Sequence, residues 1–172
     1  KTLKLESVTY RGQESLQRLL SICPVLEDLS VHFDGEFAYE DMGESTIIAP
    51  SLQRLSLSID DYWPLERYVI DTPSFKYFKL MDHNKSGHNF EIKNMPKLRE
   101  AYVEVVFFVL KSVLGSITSV KRLTICSQIP KAGGQDDVYG GGFVFNQLRH
   151  MKSMCVQKRF VESPWKLAQR FS

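Results

Sequence analysis

The sequence predicts an α/β fold in which short repeats stack into an irregular solenoid. Three observations carry this prediction. One eight-residue pattern recurs at nearly regular intervals, each copy alternates apolar and polar positions as a half-buried strand does, and helical periodicity occurs mainly in the first and later repeats. With 172 residues, the chain is long enough to bury the core of one domain.

The repeated pattern has eight positions. Proline occupies the first, and apolar residues occupy the third, sixth and eighth. The fourth and fifth are polar or mixed, and the second and seventh can be any residue. It occurs as PVLEDLSV, PSLQRLSL, PSFKYFKL and PKLREAYV, which start at residues 24, 50, 73 and 96. TSVKRLTI (118–125) fits without the proline, LKL (3–5) fits as the end of an earlier copy, and NQLRHMKS (146–153) starts the pattern and then loses it. The copies recur every ~22–28 residues, which is within the range of leucine-rich repeats.

Each copy predicts a strand whose apolar side chains face one way and whose polar side chains face the other. A single repeat cannot bury its apolar face, so the strands must stack in parallel and share one core. The resulting sheet would form the concave face of the solenoid. We therefore expect a leucine-rich-repeat solenoid over residues 1–148. Residues 149–172, which hold six Lys and Arg residues and one acid, are expected to be a divergent basic tail or cap.

The segments that connect one parallel strand to the next, here called return segments, are predicted to be of two kinds. Residues 12–23 place their apolar residues on one face of a helix, which Pro24 ends. FFVLKSVLGSI (107–117) has similar spacing and predicts a second helix. The middle repeats instead offer short segments rich in β-branched or aromatic residues, which favour an extended return. These segments are STIIAP (45–50), RYVIDTP (67–73) and NFEIKNMP (89–96).

The chain resembles, at these residues, the leucine-rich-repeat part of plant F-box/leucine-rich-repeat proteins, including those with a C-terminal FBD domain. LKLESV followed by LQRLLSICPVLEDLSV is similar to the start of that region, and IIAPSLQRLSL and VIDTPSFKYFKL extend the likeness, which covers about residues 1–148. The resemblance implies a non-catalytic, target-binding part of a substrate receptor of a cullin-type ubiquitin ligase. The target protein would lie on the concave face, and the ligase adaptor would bind an F-box that precedes residue 1 and is missing from this chain. The alternative is a leucine-rich-repeat scaffold or sensor with no ubiquitin role.

Alignment of the strands places Tyr77, Lys79, Met81, Tyr102 and Glu104 together on two adjacent repeats. Tyr, Arg and Met are enriched at protein interfaces, and solenoids bind partners on their concave face, so these five are the candidate partner-binding residues. The alternative is that polar residues on neighbouring strands only pack against one another. The pairs in question are Asp28 with Arg54, Glu100 with Arg122, and Lys79 with Tyr102.

Composition and charge argue against several classes of partner. A formal net charge of +2 gives no general attraction to nucleic acid or to an anionic membrane, although basic and aromatic residues alternate in the tail. The longest apolar stretch, residues 103–117, contains Glu104 and Lys111 and is shorter than the roughly 20 residues of a membrane helix. We therefore expect neither a nucleic acid nor a membrane partner. The three cysteines are too few for a disulfide framework and favour reduced thiols in the cytoplasm or nucleus.

Three polar segments invite a chemical interpretation, and each has a simpler one. HNKSGH (83–88) has two histidines but lacks the further ligands of a zinc site, so it favours a polar turn. GGQDDVYGGG (133–142) lacks the ending of a phosphate-binding loop, and the acidic run 34–44 is interspersed with glycines, so both favour surface loops. We predict no catalytic residue, no metal ligand and no cofactor, and we do not expect an enzyme.

Overall fold

The computed structural model describes residues 1–8, 15–33, 43–60, 67–84, 88–93, 95–128 and 144–155. Within this part of the chain there are ten strands and two helices. Their bounds are β1 Thr2–Val8, α1 Ser15–Ser21, β2 Asp28–Phe33, β3 Glu44–Ile48, β4 Arg54–Ile59, β5 Arg67–Asp71, β6 Tyr77–Asp82, β7 Asn89–Ile92, β8 Glu100–Val106, α2 Phe107–Ser116, β9 Arg122–Gln128 and β10 His150–Cys155.

One parallel sheet contains seven strands, in the spatial order β1, β2, β4, β6, β8, β9 and β10. From β2 onwards the strands pair residue for residue, without a shift in register. The first buried position of each strand of this sheet from β2 to β9 therefore lies in one continuous row, and the predicted parallel solenoid is confirmed. The row consists of Leu29, Leu55, Phe78, Ala101 and Leu123, none more than 2% exposed.

A proline turn leads into four of the seven strands of this sheet. The proline takes the second position of a four-residue turn, which is closed by a hydrogen bond of 3.0–3.1 Å from the N–H of the fourth residue to the carbonyl of the first. Proline suits this position because its fixed φ matches the turn and its missing N–H is not needed there. The turn also delivers the first apolar side chain of the pattern into the core. The donors are Leu26, Leu52, Phe75 and Leu98; where Thr118 replaces the proline, Val120 donates to the carbonyl of Ile117 at 3.2 Å.

The return segments form a second layer, and one apolar core joins it to the seven-stranded sheet. Strands β3, β5 and β7 form a three-stranded parallel sheet, while α1 packs on β3 and α2 packs on β7. The middle repeats thus return by strands and the flanking repeats by helices, as the sequence predicts. In the described residues, neither helix has the length and apolar character that a membrane crossing requires.

Strand β10 carries the seven-stranded sheet past residue 148. It pairs in parallel with β9, and Met151, Lys152 and Ser153 are all exposed, so the strand adds backbone hydrogen bonds and little burial. The division of the chain at residue 148 stays a prediction, because residues 156–172 lie outside the described residues. The segment 133–142 and most of the acidic run 34–44 also lie outside them, although Glu44 is already the first residue of β3.

Candidate functional site

The seven-stranded sheet has one face that points away from the core, here called the open face. Along the strands, its side chains alternate with buried ones. The register arranges them in three columns. The columns are Asp28, Arg54, Tyr77, Glu100 and Arg122; Ser30, Ser56, Lys79, Tyr102 and Thr124; and His32, Ser58, Met81, Glu104 and Cys126.

Cys126 differs from the other members of these columns because it is buried. It pairs with Glu104 in register, as predicted, but it is only 4% exposed. Its short thiol lies beside the longer Glu104 side chain in a strand flanked on both sides, by β8 and by β10. In this column the carboxylate of Glu104 is therefore accessible to a partner, whereas the neighbouring thiol of Cys126 is not.

The five candidate residues lie on the neighbouring strands β6 and β8, and all five are partly exposed. The ammonium group of Lys79 lies 5.5 Å from the centre of the Tyr102 ring. The Tyr102 hydroxyl donates a hydrogen bond to Oε2 of Glu104 at 2.8 Å. The cluster therefore combines a cation, an aromatic ring and a carboxylate that already hold one another in place.

His83 joins this cluster, although it is not among the five residues predicted from the sequence. Its Nε2 lies 3.4 Å from Oε1 of Glu104, so both oxygens of that carboxylate have partners. A signal for it exists in the sequence. Positions 77, 79 and 81 face outward, and the same two-residue period places His83 next in the series, one residue beyond the end of β6.

The two phenols of the cluster are held in their neutral form. Burial, together with the hydrogen bond to Glu104, raises the pKa of Tyr102 to about 12. Burial and the nearby Glu100 carboxylate raise the pKa of Tyr77. Both hydroxyl groups therefore stay protonated at neutral pH.

Ion pairs link other open-face residues across the strands, as the packing alternative expects. Arg122 binds Oε2 of Glu100 through Nε at 3.1 Å and Nη2 at 2.5 Å. Arg54 Nε lies 3.6 Å from Oδ1 of Asp28. Such exposed pairs contribute only about 0.2–1 kcal/mol each. Both pairs and the Lys79–Tyr102 contact are present, and the role of the five residues in partner binding stays a prediction.

The two histidines of HNKSGH lie in different environments. His83 faces Glu104 on the open face, whereas His88 is buried with Asp82 and Asn84. Nδ2 of Asn84 donates to Nε2 of His88 at 3.2 Å, and Nδ1 of His88 then donates to Oδ2 of Asp82 at 2.8 Å. The Tyr68 ring packs edge-on against His88, at 5.4 Å between ring centres. We refer to Asp82, Asn84 and His88 as the buried polar cluster.

The buried polar cluster organises the end of β6, and its groups bond to one another. The other carboxylate oxygen of Asp82 accepts the backbone N–H of Asn84 at 3.0 Å. Because His83 and His88 have separate partners, they do not converge on a common point. In the parts of the chain that the structure describes, no three side chains are grouped as metal ligands.

The chain is similar to known proteins over a short segment in one comparison and over most of its length in another. A family model described as Leucine Rich Repeat matches residues 1–24. An FBD-associated F-box protein of Arabidopsis thaliana is 57% identical over 156 residues, which is 91% of this chain and 35% of that protein. A putative F-box/FBD/LRR-repeat protein of the same plant is 45% identical over 151 residues, which is 88% of this chain and 32% of that protein. No solved structure matches.

These similarities confirm the resemblance that the repeat motifs indicate. They extend over most of this chain, and the chain spans about a third of the length of these two relatives. The likeness is therefore to one segment of these F-box proteins, and in this chain the described residues form sheets of parallel strands.

Proposed function

We propose that this chain, similar to one segment of plant FBD-associated F-box proteins, is the target-binding repeat region of a substrate receptor of a cullin-type ubiquitin ligase. The observation that carries the proposal is the 57% identity, over 91% of the chain, to a protein named as an FBD-associated F-box protein. The regular columns of the open face give the proposal a surface on which a target can dock.

The mechanism is one of proximity. The open face holds the target protein, while an F-box elsewhere in the full-length protein binds the ligase adaptor, in the cytoplasm or nucleus. The repeats themselves carry out no chemical step. The cluster around Tyr102 suits this role because its side chains are restrained by contacts with Lys79 and Glu104 before any partner arrives, so less rotamer freedom is lost on binding.

The ligase part of the proposal predicts that the full-length protein recovers the ligase adaptor from plant cells. A deletion of the F-box should abolish this recovery, and a deletion of the repeat segment should leave it intact. Affinity purification followed by quantitative mass spectrometry measures both. A full-length protein that recovers its target but no adaptor would instead favour the scaffold or sensor alternative.

The target-binding part predicts that the double substitution Lys79→Ala and Tyr102→Ala weakens target recovery by the full-length protein about thirtyfold, the effect of losing an interface hot spot. Recovery of the adaptor should not change. The matched control is Lys93→Ala with Lys111→Ala, which removes two exposed lysines that follow β7 and lie on α2, in the return layer. If the control reduced target recovery as strongly as the double substitution, the open face would not be the contact surface.

A further inference from the structure

A further column of exposed or partly exposed side chains runs across the end of the seven-stranded sheet at which its strands begin. It is formed by the residue directly before each strand of this sheet from β2 to β10. The first two members are an acid and an amide, and the last four are all basic. The last four are Lys76, Arg99, Lys121 and Arg149, here called the basic rim.

The backbone fixes the spacing of the basic rim. The carbonyl of Lys76 accepts the N–H groups of both Arg99 and Glu100, at 3.0 and 3.2 Å. The carbonyls of Arg99 and Lys121 accept two N–H groups each from the next repeat in the same way, at 2.9–3.1 Å. Each cation therefore starts from a position one strand spacing, ~4.8 Å, from the next.

The charges of the basic rim are not neutralised within the described residues. Lys76 donates to the amide oxygen of Gln53 at 2.7 Å, which is an uncharged partner. No described carboxylate forms an ion pair with any of the four cations. The nearest column holds Glu100, which is engaged by Arg122. Like charges on directly neighbouring strands destabilise a sheet, so this column costs stability unless an anion covers it.

A groove of about 610 Å³ adjoins the basic rim. Of the basic rim, Lys76 and Arg99 line the groove, and the acids Glu27, Asp28 and Glu100 line it as well. The four rim residues span three strand spacings, roughly 14 Å, which matches four to five residues of an extended peptide. Nucleic acid binding would need several aromatic side chains on which bases stack, and Tyr77 is the aromatic residue among those that line the groove.

We propose that the basic rim binds an extended segment rich in aspartate and glutamate in the protein that the open face recruits. This inference rests on the proposed function and deepens it, because it names the chemistry of the target. The rim supplies cations at fixed intervals, the groove beside Lys76 and Arg99 supplies room for part of a backbone, and the occupant supplies carboxylates for the rim cations.

The test uses the purified 172-residue chain and a fluorescein-labelled hexaglutamate peptide, with binding measured by fluorescence anisotropy at low salt. The double charge reversal Arg99→Glu with Lys121→Glu should weaken binding about tenfold or more, since two attractive charge contacts with the peptide become repulsive. The matched control, Lys93→Glu with Lys111→Glu, makes the same change of net charge in the return layer and should stay within about twofold. Circular dichroism of both variants shows that each keeps its fold.

Three results would overturn the inference: an equal loss in the control variant, equal binding of a hexaglutamine peptide, or tighter binding of a ten-residue oligouridylate than of hexaglutamate. The last result would identify the rim as a nucleic acid site. The peptide measurement involves no ligase component, so its failure leaves the recovery of the ligase adaptor unaffected. Failure of adaptor recovery, in turn, leaves the peptide result standing.

Discussion

Replacement of Leu55 by aspartate is expected to unfold the chain. Leu55 is 0% exposed and lies between Leu29 and Phe78 in the continuous apolar row. A carboxylate at this position would lose its hydration and find only apolar neighbours, which costs about 3–5 kcal/mol or more. Because the total stability of a domain is about 5–15 kcal/mol, one such change removes much of it. Far-ultraviolet circular dichroism and urea denaturation measure the loss.

The neighbouring substitution Ser56→Asp provides the control. Ser56 belongs to the open face, where it lies in register between Ser30 and Lys79, and it is partly exposed. The new carboxylate would remain hydrated and lie beside a lysine, so stability should change by no more than about 0.5 kcal/mol. Equal damage from the two substitutions would mean that the strand does not alternate between core and open face as described.

Removal of the Asp82 carboxylate is expected to have the second largest effect. Its side chain and that of His88 are 0% and 1% exposed, and they are joined at 2.8 Å. Asp82→Ala would leave the buried Nδ1–H of His88 and the Asn84 N–H without the acceptor they now share, which costs about 1–3 kcal/mol for each unsatisfied group. Urea denaturation of the purified chain measures this free energy of unfolding.

The chain contains a matched pair of the same chemistry on its surface. Nε2 of His32 lies 3.2 Å from Oδ1 of Asp60, and these side chains are 39% and 46% exposed. Asp60→Ala should therefore cost about 0–1 kcal/mol, because water replaces the lost partner. A comparably small loss for Asp82→Ala would show that water also satisfies the groups around His88 and that the cluster is not a structural support.

The register of the sheet could be predicted from the sequence. The side chains of a strand alternate between its two faces, and the repeat pattern shows which positions of each strand face the core. Leu29, Leu55 and Phe78 each follow the turn-closing residue at the same interval, so the repeat pattern alone is enough to align them in one row. The same alignment predicts the columns of the open face. The two kinds of return segment were predictable as well, since helical spacing and β-branched composition are local properties.

Strand β10 could not be predicted from apolar periodicity, because it is held mainly by backbone hydrogen bonds to β9. Met151 is 55% exposed, and Lys152 and Ser153 are also exposed, so burial does not impose an apolar pattern on these three residues. The buried polar cluster was missed for a different reason. Asp82 and His88 are polar and close in sequence, which indicates a turn. Their burial depends on tertiary neighbours such as Tyr68 in β5, which local sequence does not encode.

The constant distance between turn and strand has a consequence for how such chains can vary. From β2 to β9, every strand of the seven-stranded sheet begins two positions after the residue that closes the turn before it. Differences in repeat length therefore arise after the start of one strand and before the next turn. Insertions and deletions there change the length of the connections between strands. They leave the alignment of the open-face side chains unchanged.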